Sequence, residues 1–375
     1  MRVLMTGGGT AGHINPALAI ARLIEENFAD TEILFVGATG RMETTLVPKA
    51  GYPIETMKMQ GFNRKPERLG ILIGSEDRAR VYVLAAGRTS RDILQEFKPD
   101  IAIGTGGYVS GPILRCALKM HIPVLVHESN AFPGKTVKEL AREGATVLLC
   151  SEDARRFLPA GSKAVVTGNP LRPEFLHMDA AAKRQARREL SLDDRPLVLS
   201  FGGSLGARHI NEAMVGVLQK SHALGKLQHI HGVGKAGYAD TCAALQAAGV
   251  PLDGDGISVR EYIDDMPRCM AAADLVICRC GAMTLSEIPA AGKPSVLIPS
   301  PYVAENHQYR NAMVLVQHGA AICIEEKNLT AERLFDAVTA ITDNKEKMAE
   351  MAKNASALAI LDADARILSE IRRML

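Results

Sequence analysis

Short apolar runs alternate along this chain with stretches patterned as helices. RVLMTG (2–7), EILFVG (32–37), IAIGTGG (101–107), PVLVHES (123–129) and ATVLLCS (145–151) read as strands. PALAIARLIEENF (16–28) and PILRCALKM (112–120) read as helices between them. Strands alternating with helices imply a parallel sheet with right-handed crossovers. The pattern pauses over 168–196, where prolines, a charged helix and a turn read as a connector. A second series starts at LVLSFGGSLGA (197–207) and runs to about 325. The expectation is an α/β protein of two doubly wound domains, 1–168 and 169–345. A ligand cleft between them follows, because open parallel sheets bind ligands beyond the carboxyl ends of their strands. The tail 346–375 reads as amphipathic helix and is expected to pack back on the first domain.

The most pointed local signal lies in the second series. An apolar strand, LVICR, ends at Gly281, and a helix opens with Thr284 and Glu287 three residues apart. After a second strand, a polar loop ends in Asn306, His307 and Gln308. A helix start offers free N–H groups to phosphate. A carboxylate one turn in can take the two hydroxyls of a ribose, and an amide both donates to and accepts from sugar hydroxyls. Thr284 with Glu287 also fits a capping box, a purely local stabiliser.

Three glycine turns follow strands: GGGTAGHINP (7–16), GTGGYVSGP (104–112) and GGSLGARHIN (202–211). Glycine lets backbone approach a bulky polar group, and a turn that opens a helix can cradle phosphate. None ends in the Gly-Lys-Ser/Thr of a phosphate loop, and no acidic residue closes the strand EILFVG as a dinucleotide site requires. ATPase and dehydrogenase chemistries are therefore disfavoured.

Composition narrows the partners. With 47% hydrophobic and 23% charged residues among 375, the chain is globular with a large core. A formal net charge of +2 and only 4% aromatics, without Trp, argue against nucleic acid. Seven cysteines without paired spacing read as reduced thiols. Cys278 and Cys280 have no second Cys/His pair nearby to complete a metal site. Asp253-Gly-Asp255 mimics the Asp-x-Asp of metal-dependent sugar transferases, but its Pro/Gly surroundings favour a solvated turn. The N-terminus is a strand running into a glycine turn, unlike a signal peptide, and no run of about 18 apolar residues suggests a membrane span.

Assembled, these pieces closely resemble the MurG family, bacterial N-acetylglucosaminyltransferases of peptidoglycan synthesis. The matching segments are GGGTAGHINPALAIA, METTLVPKAGY, GTGGYVSGP, HESNAFPGKT, GNPLR, GGSLGARHIN, YIDDM, RCGAMTLSE and PSPYVAENHQ, in family order over nearly the whole chain. The resemblance implies a GT-B fold, two Rossmann-like domains facing a central cleft. It implies inverting transfer of GlcNAc from UDP-GlcNAc to the muramoyl 4-hydroxyl of undecaprenyl-pyrophosphoryl-MurNAc-pentapeptide (lipid I), giving lipid II. Composition and spacing alone stop at a nucleotide sugar or similar phosphate ligand.

By the resemblance, Arg172 is the basic group near the nucleotide, with pairing to a nearby carboxylate as the alternative. Ser204 contacts the diphosphate, the Ile263 backbone reads uracil, and Met283 and Thr284 form the phosphate-facing helix start. Glu287 binds ribose, and Gln308 with His307 reads the sugar, His307 standing where some relatives carry Gln. Thr10, Gly12 and Asn130 are also assigned to the donor, with an acceptor-side hydrogen bond equally open for Asn130. Gly106, Gly107 and Tyr108 are assigned to the acceptor. His13 is the leading base, since an imidazole with an ordinary pKa of about 6.5 suits proton transfer near neutrality. Glu128 is the runner-up. Val137 stands where many relatives have a polar residue, and 70–90 departs from the usual sequence.

No metal or other cofactor is implied, and stimulation by a divalent cation stays open. The lipid acceptor implies a peripheral enzyme on the cytoplasmic face of the bacterial plasma membrane. Residues 64–91 carry seven Arg/Lys against three Asp/Glu, with Leu69, Ile71, Leu72 and Ile73 among them, a composition suited to anionic headgroups or to an ordinary solvated helix. Competing readings are a UDP-GlcNAc 2-epimerase, a related lipid glycosyltransferase, and a scaffold that keeps a nucleotide-sugar pocket without turnover.

Overall fold

The computed structural model describes residues 1–57, 90–203 and 205–375. The chain divides into two compact units, Met1–Pro170 with Asp362–Leu375, and Leu171–Leu361. The first holds β1 (Arg2–Thr6), β2 (Glu32–Ala38), β3 (Ile54–Met57), β4 (Ile101–Gly104), β5 (Val124–Glu128), β6 (Thr146–Leu149) and β7 (Ala164–Val166). Their order is β3-β2-β1-β4-β5-β6-β7, with every pairing parallel.

Successive side chains of a strand point to opposite faces. Val3, Met5, Ile101 and Ile103 therefore join one core, while Leu4, Ala102, Val124 and Val126 join the other. The helix Ala11–Asn27 covers the first face with Ile14, Ala17, Ile20, Ala21 and Ile24, a stripe at helical spacing. The helices Ser110–Lys119 and Lys135–Arg142 cover the other, and Val137 is buried there, so its apolar side chain serves the core.

The second unit holds β8 (Leu197–Phe201), β9 (Gln228–Gly232), β10 (Asp253–Gly254), β11 (Ile257–Arg260), β12 (Leu275–Cys278), β13 (Ser295–Leu297) and β14 (Ala321–Cys323), in the order β10-β11-β9-β8-β12-β13-β14. The two-residue β10 alone is antiparallel, forming a hairpin with β11 that leaves Asp253 and Asp255 exposed. In each sheet the order reverses beside the first strand of its unit, between β1 and β4 and between β8 and β12. Loops diverge there and leave a crevice for a ligand.

Two expectations need correction. The tail is not one helix packed on the first unit. It breaks at Leu358–Asp362 into Lys345–Ala357, whose Met351 lies in the second unit's core, and Ala363–Met374, whose Ile367, Leu368 and Ile371 complete the core beneath Ala11–Asn27. Burying each of these last three side chains stabilises the first unit by roughly 1.5–3 kcal/mol. The segment 168–196 carries the boundary between the units, at Pro170 and Leu171, but most of it is not connector. Its helix Ala180–Glu189 is clamped to the second unit, with Lys183 and Arg187 both paired to Asp274.

Candidate functional site

At the carboxyl end of β1, Gly7–Thr10 turns into the helix Ala11–Asn27, whose N-cap is Thr10. The Thr10 carbonyl accepts from the amides of His13 and Ile14, and its side chain makes no capping bond. Thr10 and Gly12 are exposed at this helix start. The turn after β4 packs against the same loop. A Cβ on Gly107, whose φ is +83°, would lie 2.3 Å from the Gly8 carbonyl oxygen, so the two glycine turns touch through bare backbone. A Cβ on Gly106 would lie 3.0 Å from the His13 ring. Tyr108 lies beside Gly9, and its buried hydroxyl has no partner among the described residues.

His13 is locked between these turns. Its Nδ1 lies 3.0 Å from the Thr105 carbonyl oxygen, and the Thr105 hydroxyl donates to the His13 carbonyl at 2.6 Å. A carbonyl only accepts, so Nδ1 carries the hydrogen and the neutral ring keeps its lone pair on Nε2. Burial lowers the His13 pKa from 6.5, while the Thr105 bond and the negative charge of Glu43 act the other way. The ring is therefore neutral near pH 7, with a basic nitrogen of fixed tautomer.

Glu128, at the end of β5, is differently employed. Its Oε1 accepts from the backbone and side-chain amides of Asn130, at 2.9 and 3.0 Å, and its Oε2 from the Gly134 amide at 2.9 Å. The carboxylate is buried and braces the loop 129–134. Both Glu128 and Asn130 are thus committed to loop geometry, which weakens Glu128 as the runner-up base.

In the second unit the donor candidates follow the carboxyl ends of neighbouring strands. Ser204, after β8, lies outside the described residues. Ile263, after β11, is buried, and a Cβ on Gly232 would lie 2.9 Å from its Cδ1. After β12 comes the helix Thr284–Ala290, with Met283 as N-cap and no side-chain capping bond. The capping box is therefore not formed. The ladder begins with the Leu285 amide on the Gly281 carbonyl and that of Glu287 on Met283, so the amides of 282–284 precede it. Two turns make only a small dipole, and any phosphate contact here rests on those amides.

Glu287 instead accepts from Arg172 at 3.0 Å, an ion pair in which Arg172 is 49% and Glu287 13% exposed. Both Arg172 alternatives thus meet in one contact, since its carboxylate partner is the ribose candidate itself. Burial raises the Glu287 pKa, against the pull of the Arg172 charge and hydrogen bond. The Gln308 oxygen accepts from the amides of Ser300 at 2.9 Å and Cys280 at 3.3 Å, tying the ends of β12 and β13 together. Its acceptor is used internally, so its NH2 is the group it can present to a sugar. His307 Nδ1 donates to the Ala304 carbonyl at 2.9 Å.

Glu43 lies in the METTLVPKAGY segment, and the resemblance assigns it no role in the site. It is fully buried at the start of the helix Glu43–Lys49 and bonds the amides of Gly9 and Ala38, both at 3.0 Å. The available signal was an acidic residue in the first turn of a short helix, which reads as ordinary helix polarity.

Against known proteins, residues 3–149 match the glycosyltransferase family 28 N-terminal domain and 197–367 the glycosyltransferase family 28 C-terminal domain. The UDP-N-acetylglucosamine--N-acetylmuramyl-(pentapeptide) pyrophosphoryl-undecaprenol N-acetylglucosamine transferase of Acetivibrio thermocellus is 42% identical, covering 99% of this chain and 98% of its own. That of Desulforamulus reducens is 40% identical over 100% and 99%. Among solved structures, the Acinetobacter baumannii MurG superposes with a TM-score of 0.80 at 29% identity, covering 99% of both chains. The UDP-GlcNAc 2-epimerase from Neisseria meningitidis, at 0.64 and 15% over 100% of both, shares the fold.

Proposed function

The chain belongs to glycosyltransferase family 28, among its MurG-type members, and from that premise we propose how its residues carry out the reaction. Its fold is GT-B. The activity is transfer of GlcNAc from UDP-GlcNAc to the muramoyl 4-hydroxyl of lipid I, giving lipid II, with inversion at the anomeric carbon. The observation that carries the mechanism is the tautomer of His13: Thr105 holds the hydrogen on Nδ1 and leaves Nε2 basic.

Nε2 takes the proton of the acceptor hydroxyl as that oxygen attacks the anomeric carbon. The bond from that carbon to the diphosphate breaks, and its electron pair leaves with UDP. The amides of 282–284 and the Arg172 guanidinium meet the developing charge. Glu287 turns from Arg172 to the ribose diol, and the Gln308 NH2 donates to a sugar hydroxyl. Tyr108 flanks the first glycine loop on the acceptor side, its buried hydroxyl without a partner among the described residues. This donor set calls for no resident metal. Turnover is expected to persist in chelator, and adding divalent ions to the same assay reads any stimulation.

A lipid acceptor brings the enzyme to the cytoplasmic face of the plasma membrane as a peripheral protein. Among the described residues, no helix is long and apolar enough to cross a membrane. The basic and apolar stretch 64–91 is the proposed contact, and all of it up to residue 89 lies outside the described residues. Neutralising Arg64, Lys65 and Arg68 is expected to weaken binding to anionic vesicles, and unchanged binding removes this stretch from the model of attachment.

The deciding experiment measures UDP release from UDP-GlcNAc with and without a lipid I analogue. Release only with the acceptor supports the transferase, while acceptor-independent conversion overturns it. His13→Ala should lower kcat by about 10²- to 10⁴-fold and spare UDP affinity. A near-wild-type rate would remove His13 as the base.

A further inference from the structure

We propose that Glu43 is a positioning residue for the transfer, holding the first glycine loop and, through it, the basic Nε2 of His13. The inference rests on His13 as base. Each Glu43 oxygen is spent on one backbone amide: Oε2 on Gly9, in the loop that leads into the His13 helix, and Oε1 on Ala38, at the end of β2. Both partners are donors. A carboxylate satisfies both, whereas an amide of the same shape has one acceptor and would turn its NH2 against the second N–H. The side chain is fully buried, so neither bond is exchanged for water.

Two glycines make the room for it. A Cβ on Gly8 would lie 2.4 Å from Glu43 Oε1, and one on Gly37 would lie 2.7 Å from its Cγ. Two glycines from separate strand ends and one buried carboxylate thus form a clasp between β2 and the loop that opens the His13 helix. An ordinary helix-start carboxylate bonds its own helix. This one bonds two other segments.

The clasp also places a negative charge near the ring that becomes cationic on taking the acceptor proton. Of the groups packed around His13, Thr105 and Gly106 present backbone and hydroxyl, Tyr108 flanks Gly9, and Glu43 supplies the charge that acts on the imidazole. Glu43 thereby favours the imidazolium and strengthens the base without touching substrate.

The test uses the full-length enzyme with UDP-GlcNAc and a lipid I analogue. Glu43→Gln is expected to lower kcat by about 10- to 100-fold, leave KM for UDP-GlcNAc within about twofold, and move the acid limb of the kcat–pH profile to lower pH, because the charge that raises the His13 pKa is gone. Glu43→Asp, which keeps the charge on a shorter arm, should lower kcat but leave the limb closer to its wild-type position. In a His13→Gln background, Glu43→Gln should cost little more, since both act through one nitrogen. A wild-type kcat in Glu43→Gln overturns the proposal. So does a loss of kcat with an unmoved limb, or a full additive loss in the double variant. Near-wild-type turnover by His13→Gln alone would instead sink the assignment of the base. UDP binding by each variant checks that it is folded.

Discussion

The three fully buried histidines of β5 and β9 give this protein a calculable sensitivity to acid. His127 sits in the first unit, His229 and His231 in the second, all at 0–1% exposure. Burial lowers their pKa values to about 4, about 3 and about 4. The unfolded chain titrates each near 6.5. Above that pH both states are neutral and there is no effect. Below it the unfolded state takes protons that the folded state refuses, so stability falls as pH drops from 6.5 toward the folded values.

At about 1.36 kcal/mol per pH unit, each histidine removes about 2 kcal/mol between pH 6.5 and pH 5. The second unit loses about 4 kcal/mol and the first about 2, against a typical total of about 5–15. Both ring nitrogens of His229 lack a partner among the described residues, between Val198 and Ile257 on the neighbouring strands. His229→Leu is therefore expected to be neutral or stabilising near pH 7.5 and to abolish about 2 kcal/mol of the acid loss. Urea unfolding followed by circular dichroism from about pH 7.5 to about pH 5 reads both effects. If wild type and variant lose stability in parallel over that range, the neutral buried imidazole is not the cause.

Three further outcomes follow from the site. Glu287→Gln removes both the Arg172 partner and the ribose carboxylate, and KM for UDP-GlcNAc should rise about 10- to 100-fold, with weaker UDP binding in calorimetry. Gln308→Glu keeps the oxygen that holds the Cys280 and Ser300 amides but loses the NH2. KM for UDP-GlcNAc should rise about tenfold while UDP affinity and Tm hold, and a parallel loss of UDP affinity would contradict this division of its amide. Gly107→Ala forces a Cβ to within 2.3 Å of the Gly8 carbonyl at a φ of +83°, so it should destabilise the first unit by about 1–3 kcal/mol and lower kcat. A normal Tm and rate would show that the two turns can part without cost.

Much of the fold was legible because its signals are local. The apolar runs that read as strands became β1, β2, β5, β6 and β12 within a residue or two, and those starting at 101 and 197 became β4 and β8, which end where their glycines begin. The exposed Asp253–Asp255 hairpin followed from its Gly and Pro surroundings. The break in the tail did not, since LAILDADA carries no proline or glycine and helical spacing continues on both sides. What divides it is that Met351 and Ile367 fill different cores. In the site, residue type was legible and partner was not. Glu287 looked equally like half of a capping box, and its bond to Arg172 spans 115 residues.

The sequence by itself determined two parallel α/β units, the glycine turns at their strand ends, and family membership, because strand periodicity, turn chemistry and motif order are written in neighbouring residues. Only the tertiary structure decided which groups are spent and which remain available. It committed Glu128 to its own loop, used the Gln308 oxygen to join two strand ends, and fixed the His13 hydrogen on Nδ1 through a carbonyl 92 residues away. A hydrogen bond depends on a distance of about 3 Å and on which atom donates, and chain folding sets both.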